Sequence, residues 1–206
     1  EHHASNHRWQ IGEGHDLPEM ARGDDYDEIA DNIFFPIYDR IAEQIIDATD
    51  VRSGKMLDIG CGGGHLGFAV MEKTELEGYF ADIKNAPVEI AMIRAKERGM
   101  QERAHFYVQD VQDLDFEDDF ADLIISRGSY LFWEDQKKAF SEIYRVLAPG
   151  GRTYIGSGLG SREQRKKIKE KMNELYGGWE SPASKPNHSL TTDEYRKMFD
   201  SFGWKY

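Results

Sequence analysis

The chain has 206 residues, 39% of them hydrophobic, enough for one domain with a full core. Its 38 acids outweigh 26 Lys and Arg to give a net charge of −12, which disfavours a nucleic-acid substrate, because affinity for a phosphate backbone comes from Lys and Arg displacing counterions. No apolar run approaches the roughly 20 residues that span a bilayer, no secretory signal pattern opens the chain, and the single Cys61 excludes an internal disulfide, so the reading is a cytoplasmic protein with no membrane partner.

Residues 1–23 hold His2, His3, His7 and His15 among scattered charges with little periodicity, and read as a mobile lead rather than a metal site. The first fifty residues carry thirteen acids against three Lys or Arg. From Asp24 the pattern changes: Tyr26, Ile29, Ile33, Tyr38, Ile41, Ile45 and Ile46 recur at spacings that predict two helices broken near Phe35-Pro36. The most informative stretch comes next. Leu57-Asp58-Ile59-Gly60-Cys61-Gly62-Gly63-Gly64, followed by the helix-like His65-Leu66-Gly67-Phe68-Ala69-Val70-Met71, reads as strand, glycine turn and helix, an arrangement that lets a ligand meet bare backbone N–H groups. Gly62-Gly63-Gly64-His65-Leu66-Gly67 formally matches the dinucleotide fingerprint. However, Asp58 just before Gly60 would repel a pyrophosphate and suits a ligand carrying positive charge. Cys61, inside the turn, reads as a small packing residue rather than a nucleophile.

Gly78-Tyr79-Phe80-Ala81-Asp82-Ile83 predicts a second strand ending in an acid placed to accept hydrogen bonds from both hydroxyls of a ribose. Ala104 to Val111 predicts a third, again ending in an acid; Asp110 suits an exocyclic amine, with Val111 covering the base. Phe120 to Gly128 is nearly continuous in apolar residues, as a central parallel strand requires. A helix, a Pro149-Gly150-Gly151 turn and a fifth strand to Ile155 follow. Gly156-Ser157-Gly158-Leu159-Gly160-Ser161 is a loop-like exit. Arg162 through Lys171 carries six Lys or Arg, with Ile168, Met172 and Leu175 along one side of a predicted helix; the basic face reads as solvated or as a landing site for an acidic partner. Thr191 or Thr192 suits the cap of a last helix whose apolar face is Tyr195, Met198, Phe199 and Phe202, and His188 lies in the loop before it.

These motifs, taken in order, resemble the class I, Rossmann-like methyltransferases that use S-adenosylmethionine, small-molecule type, over roughly Tyr26 to Ile155. Leu57-Asp58-Ile59-Gly60-Cys61-Gly62-x-Gly64 looks like the family's first motif, Asp82 its ribose-binding acid, Asp110-Val111 its adenine contact, and Val146-Leu147-x-Pro149-Gly150-Gly151 the turn before its fifth strand. The resemblance implies an α/β fold, a doubly wound, mostly parallel sheet of seven strands with helices on both faces. Its last strands are in question, because the chain stops at Tyr206 where members continue into a final hairpin. It implies a single domain over 24–206, divided into an N-terminal helical lid (24–50), a cofactor-binding core (51–156) and substrate-side helices (157–206). The expected cofactor contacts are Tyr26, as a lid residue, with Asp58, Gly60, Cys61, Gly62, Asp82, Ile83, Asp110, Val111, Ser126 and Arg127.

Methyl transfer from a sulfonium needs an acceptor held in line and water kept out, with neither a protein nucleophile nor a metal. The acceptor-facing residues expected after the fourth strand are Arg127, Ser129, Tyr130, Phe132, Trp133 and Glu134. Tyr130 and Glu134 are the catalytic candidates, as proton acceptors, and Phe132 and Trp133 read either as pocket walls or as the start of the next helix's apolar face. The Asp/Asn-Pro-Pro-Tyr motif of nucleic-acid base methylases is absent, which again points to a small-molecule acceptor. A cofactor-binding sensor without transfer activity and a nicotinamide-dependent oxidoreductase are the competing readings, the latter disfavoured by Asp58. With no heptad repeat or internal duplication, the oligomeric state is open.

Overall fold

Residues 29–178 and 190–205 are described in the computed structural model. Five parallel strands form the frame: β1 (Ser53–Ile59), β2 (Glu75–Asp82), β3 (Ala104–Val108), β4 (Ala121–Arg127) and β5 (Leu147–Gly156), in the order β3-β2-β1-β4-β5. β1 is central, pairing with β2 from Ser53↔Glu75 to Ile59↔Ala81 and with β4 from Met56↔Leu123 to Asp58↔Ile125. The chain winds outward through β2 and β3, then returns to the other side of β1. The loops after β1 and β4 therefore diverge at the carboxyl edge of the sheet and open a crevice there.

Burial on both faces explains the apolar side chains Met56, Leu57 and Ile59 of β1 and Leu123, Ile124 and Ile125 of β4. Met56, Leu123 and Ile125 enter one core with Ile37, Ile41 and Ile45 of α1 (Phe35–Thr49), Leu66 and Phe68 of α2 (His65–Met71) and Ala91 and Ala95 of α3 (Asn85–Glu97). Leu57, Ile59 and Ile124, one residue out of phase, enter the opposite core with Phe140 and Ile143 of α4 (Gln136–Val146). Helices on both faces make the sheet doubly wound. The seven strands expected from the resemblance are five among the described residues, and none of the described helices is long and apolar enough to cross a membrane.

The two helices expected to meet near Phe35-Pro36 are there, a π-helical turn Ala30–Phe34 and then α1, but they abut without a gap, Pro36 lying in the first turn of α1. Three other local expectations change. β3 ends at Val108, so Asp110 and Val111 lie in the loop beyond it. The Pro149-Gly150-Gly151 turn sits within β5 as an irregularity, the pairing jumping from Ala121↔Leu147 to Leu123↔Arg152. In α5 (Arg162–Tyr176), opened by a Ser161–Gln164 capping box, Ile168 and Met172 are buried but Leu175 is 53% exposed, because the helix there has run past the core. Thr191 is the cap of α6 (Thr192–Phe202), its hydroxyl accepting from the Glu194 N–H, and Met198 is buried against α4.

Candidate functional site

The turn after β1 is shaped by what surrounds it. Gly60 has φ 63°, and a Cβ there would lie 2.3 Å from the Cβ of Ser129, so the loop after β4 leaves room for nothing larger than hydrogen. Gly62, at φ 52°, faces empty space instead. Its backbone is accessible, and its positive φ keeps larger residues out. The Cys61 N–H donates to the Ala81 carbonyl at 3.1 Å, fastening the turn to β2.

Two acids bracket this turn. Asp58 is 2% exposed, and its Oδ2 accepts from the Gly67 N–H of α2 at 3.1 Å. That approach requires Gly67, since a Cβ would come within 2.3 Å of Phe80 and 2.8 Å of the Asp58 carboxylate. Burial pushes the Asp58 carboxyl up to about 8, opposed by the Gly67 hydrogen bond and reinforced by the charge of Asp82. At the end of β2, Asp82 accepts from the Gly62 and Lys84 N–H groups, each at 3.0 Å, and it too is raised, mainly by burial. Burial, with the nearby Asp58 and Asp82 charges, pushes the Cys61 thiol up as well, away from the thiolate a nucleophile needs.

A small cleft, open to solvent, lies between the turn and the N-terminal elements. Asp58, Gly60, Cys61 and Gly62 line its floor, and Ala30, Tyr38 and Arg127 contribute from other elements. Tyr38 of α1 stacks on His65 of α2 with ring centroids 4.9 Å apart and planes 9° from parallel. Asp31 accepts from Arg94 of α3 at 3.1 and 3.3 Å and stands 3.5 Å from His65 Nε2; Arg94 also donates to the Gly63 carbonyl. The π-helical turn is thus tied to both the glycine turn and α3. Arg127, at the end of β4, donates through Nε to the Gly158 carbonyl at 3.1 Å, with its guanidinium 5.0 Å from the Phe34 ring and 5.2 Å from the Tyr38 ring.

Other expected site residues sit around rather than in this cleft. Ser126 is buried, its hydroxyl 2.6 Å from that of Ser129, which bonds the Ile59 carbonyl at 3.3 Å and so supports the turn from behind. Ile83 is exposed just past Asp82; Asp110 accepts from the Gln112 N–H at 2.9 Å, and Val111 is buried in the α4-side core. Tyr130 and Glu134 are not among the cleft's lining residues. Tyr130 packs edge-on to Trp133, while Glu134 is exposed. Trp133 is not a pocket wall: it is 9% exposed and packs on Phe140 at 5.4 Å, in the core beneath α4, whereas Phe132 is 46% exposed. Tyr26, the histidines of residues 1–23 and His188 lie outside the described residues.

Sequence reasoning passed over Asp31, His65 and Arg94. The one available signal was His65 directly after three glycines, at the first position of α2. Asp31 and Arg94 meet only through the fold.

Comparison with known proteins gives four consistent matches. A family model described as a methyltransferase domain matches residues 50–203. Methyltransferase GfsG of Streptomyces halstedii is 33% identical over 118 residues, covering 57% of this chain and 42% of that protein. The ubiquinone/menaquinone biosynthesis C-methyltransferase UbiE of Idiomarina loihiensis is 30% identical over 154 residues, covering 73% of this chain and 59% of that one. The chain thus spans about half the length of these curated relatives. A crystal structure from Methanococcus maripaludis, of a protein assigned to the S-adenosyl-L-methionine-dependent methyltransferases, superposes with a TM-score of 0.79 at 35% identity, covering 86% of this chain and 81% of that one.

Proposed function

This chain belongs to the class I, Rossmann-like S-adenosylmethionine-dependent methyltransferases, and from that premise we propose that it transfers a methyl group from S-adenosylmethionine to a small-molecule acceptor, leaving S-adenosylhomocysteine. The observation that carries the reading is the pair of desolvated acids, Asp58 and Asp82, on adjacent parallel strands either side of a turn whose Gly62 faces open space. The residues fit the adenosyl cofactor. A dry carboxyl such as Asp58, held up near 8, gains more than an exposed one from an adjacent positive charge such as an ammonium. Asp82 presents a carboxylate suited to ribose hydroxyls, and Asp110, Val111 and Ile83 follow on the side where a base would be held.

When bound, S-adenosylmethionine supplies a methyl group on a positively charged sulfur, already activated toward a nucleophile. The work left to the chain is positioning and exclusion of water. Ala30 and Tyr38 bring apolar surface to the cleft, and the Asp31–Arg94 contact holds the turn carrying Ala30 in place. UbiE is by its name a C-methyltransferase of ubiquinone and menaquinone biosynthesis, which favours a small organic acceptor here, as does the acidity of the chain. The test is calorimetric titration with S-adenosylmethionine, S-adenosylhomocysteine and NADH in parallel. Binding of the two adenosyl ligands alone supports the reading; binding of NADH alone, or of none, refutes it.

A further inference from the structure

Arg127 is held from three directions. The Phe34 ring of the π-helical turn and the Tyr38 ring of α1 face its guanidinium, and the Gly158 carbonyl, in the segment after β5, accepts from its Nε. Such contacts fix a side chain that otherwise has several free torsions, and they leave its charge unneutralised. By contrast Arg94, which donates to the Gly63 carbonyl of the glycine turn, is paired with Asp31. Among the described residues Arg127 has no carboxylate within 4 Å and neither of its terminal nitrogens has an acceptor, although it lines the cleft beside Tyr38 and Cys61.

Building on the methyltransferase reading, we propose that Arg127 binds the anionic group of the methyl acceptor, a carboxylate or phosphate, with the acceptor's apolar part against Tyr38 and Ala30, which line the cleft. Nε is already committed to Gly158, so the two terminal nitrogens form the fork that meets the anion end-on. Because the fork is held before the ligand arrives, little side-chain entropy remains to be lost on binding. Arg127 shares the cleft with Asp58 and Gly60 to Gly62 but is held by Phe34 and Gly158, from outside the glycine turn, so the anion site borders the adenosyl site. Specificity for a charged acceptor follows from the same arrangement: an uncharged analogue leaves the guanidinium partly dehydrated and unpaired.

The experiment uses the full chain saturated with S-adenosylhomocysteine, and saturation-transfer NMR with benzoate, phenyl phosphate and, as the uncharged control, benzamide. The benzoate and phosphate arms separate the two anion chemistries. In the unaltered protein at least one anionic probe should bind fivefold or more tightly than benzamide; Arg127→Met should reduce it to the benzamide level, and Arg127→Lys should retain part of the preference. The dissociation constant for S-adenosylhomocysteine, measured on the same samples, should stay within threefold and also reports that each variant is folded. No preference for anions, or a preference that survives in Arg127→Met, overturns the proposal. A tenfold loss of S-adenosylhomocysteine affinity in Arg127→Met also overturns it, by assigning the guanidinium to the cofactor's own carboxylate while the methyltransferase reading stands. Failure of the unaltered protein to bind S-adenosylhomocysteine defeats both.

Discussion

Replacing Asp58 by Asn should make the unliganded protein more stable and a worse binder at once. The carboxyl is 2% exposed, and burial lifts it from 3.8 to about 8. Below about pH 4 the group is protonated in both folded and unfolded chains and contributes nothing to the pH dependence. Between about pH 4 and pH 8 the unfolded chain releases the proton while the folded chain keeps it, so stability falls as pH rises, by up to ~1.4 kcal/mol per unit. At pH 7 the accumulated penalty is about 4 kcal/mol, and above about pH 8 it levels off. Asn removes the titration and retains an oxygen for the Gly67 N–H. The stability difference between Asp58→Asn and the unaltered protein should therefore widen from pH 5 to pH 8 and then stay flat, as read by urea unfolding at unit pH intervals. Affinity for S-adenosylmethionine should fall, because Asn cannot ionise to give the carboxylate that we propose meets the cofactor's ammonium. Two stability curves that remain parallel across this range would refute the argument, since Asp58 would then titrate alike in the folded and unfolded chains.

Asp82→Ala should weaken S-adenosylhomocysteine binding roughly tenfold to a hundredfold, the loss of one charge-assisted hydrogen bond at about 1.5–3 kcal/mol, measured by calorimetry. Gly67→Ala places a Cβ 2.3 Å from Phe80 and 2.8 Å from the Asp58 carboxylate, and should cost about 1–3 kcal/mol in urea unfolding; an unchanged midpoint would mean that α2 shifts freely. On α5, Met172→Ala should cost about 2–5 kcal/mol, whereas Leu175→Ala should stay within about 0.5 kcal/mol. Equal effects in thermal or urea unfolding would contradict the burial pattern.

The sheet and its turn were legible because local chemistry and global fold agree there. Short apolar stretches followed by an acid or a glycine turn specify the carboxyl halves of β1 and β2, and a longer one specifies β4, without reference to the rest of the chain. The reason Gly60 must be glycine was not legible, since it is Ser129, almost seventy residues away, that crowds it. Pro36 marked the boundary between the two N-terminal helical elements, because proline is tolerated in the first turn of a helix; that the preceding element is π-helical had no sequence signal. Trp133 was ambiguous for a similar reason: an aromatic before an amphipathic helix suits a wall or a core equally until Phe140 is seen against it. The contacts that roof the cleft, Asp31 to Arg94 and Tyr38 to His65, join α1 and its preceding turn to α3 and α2. No spacing rule within one helix reports a partner on another.

The π-helical turn has a consequence for how this molecule tolerates insertions and deletions. Ala30–Phe34 accommodates one residue more than an α-helical path of the same rise would. Deleting a residue there would let the segment relax to an ordinary helix continuous with α1. Asp31, which pairs with Arg94, and Ala30, which lines the cleft, both lie in that turn, so theirs are the positions that would change. The five-stranded sheet has no stake in that change. A change in length that the fold absorbs would thus be registered almost wholly by the mouth of the cleft, which makes this short stretch a point where the architecture and the active surface can diverge independently.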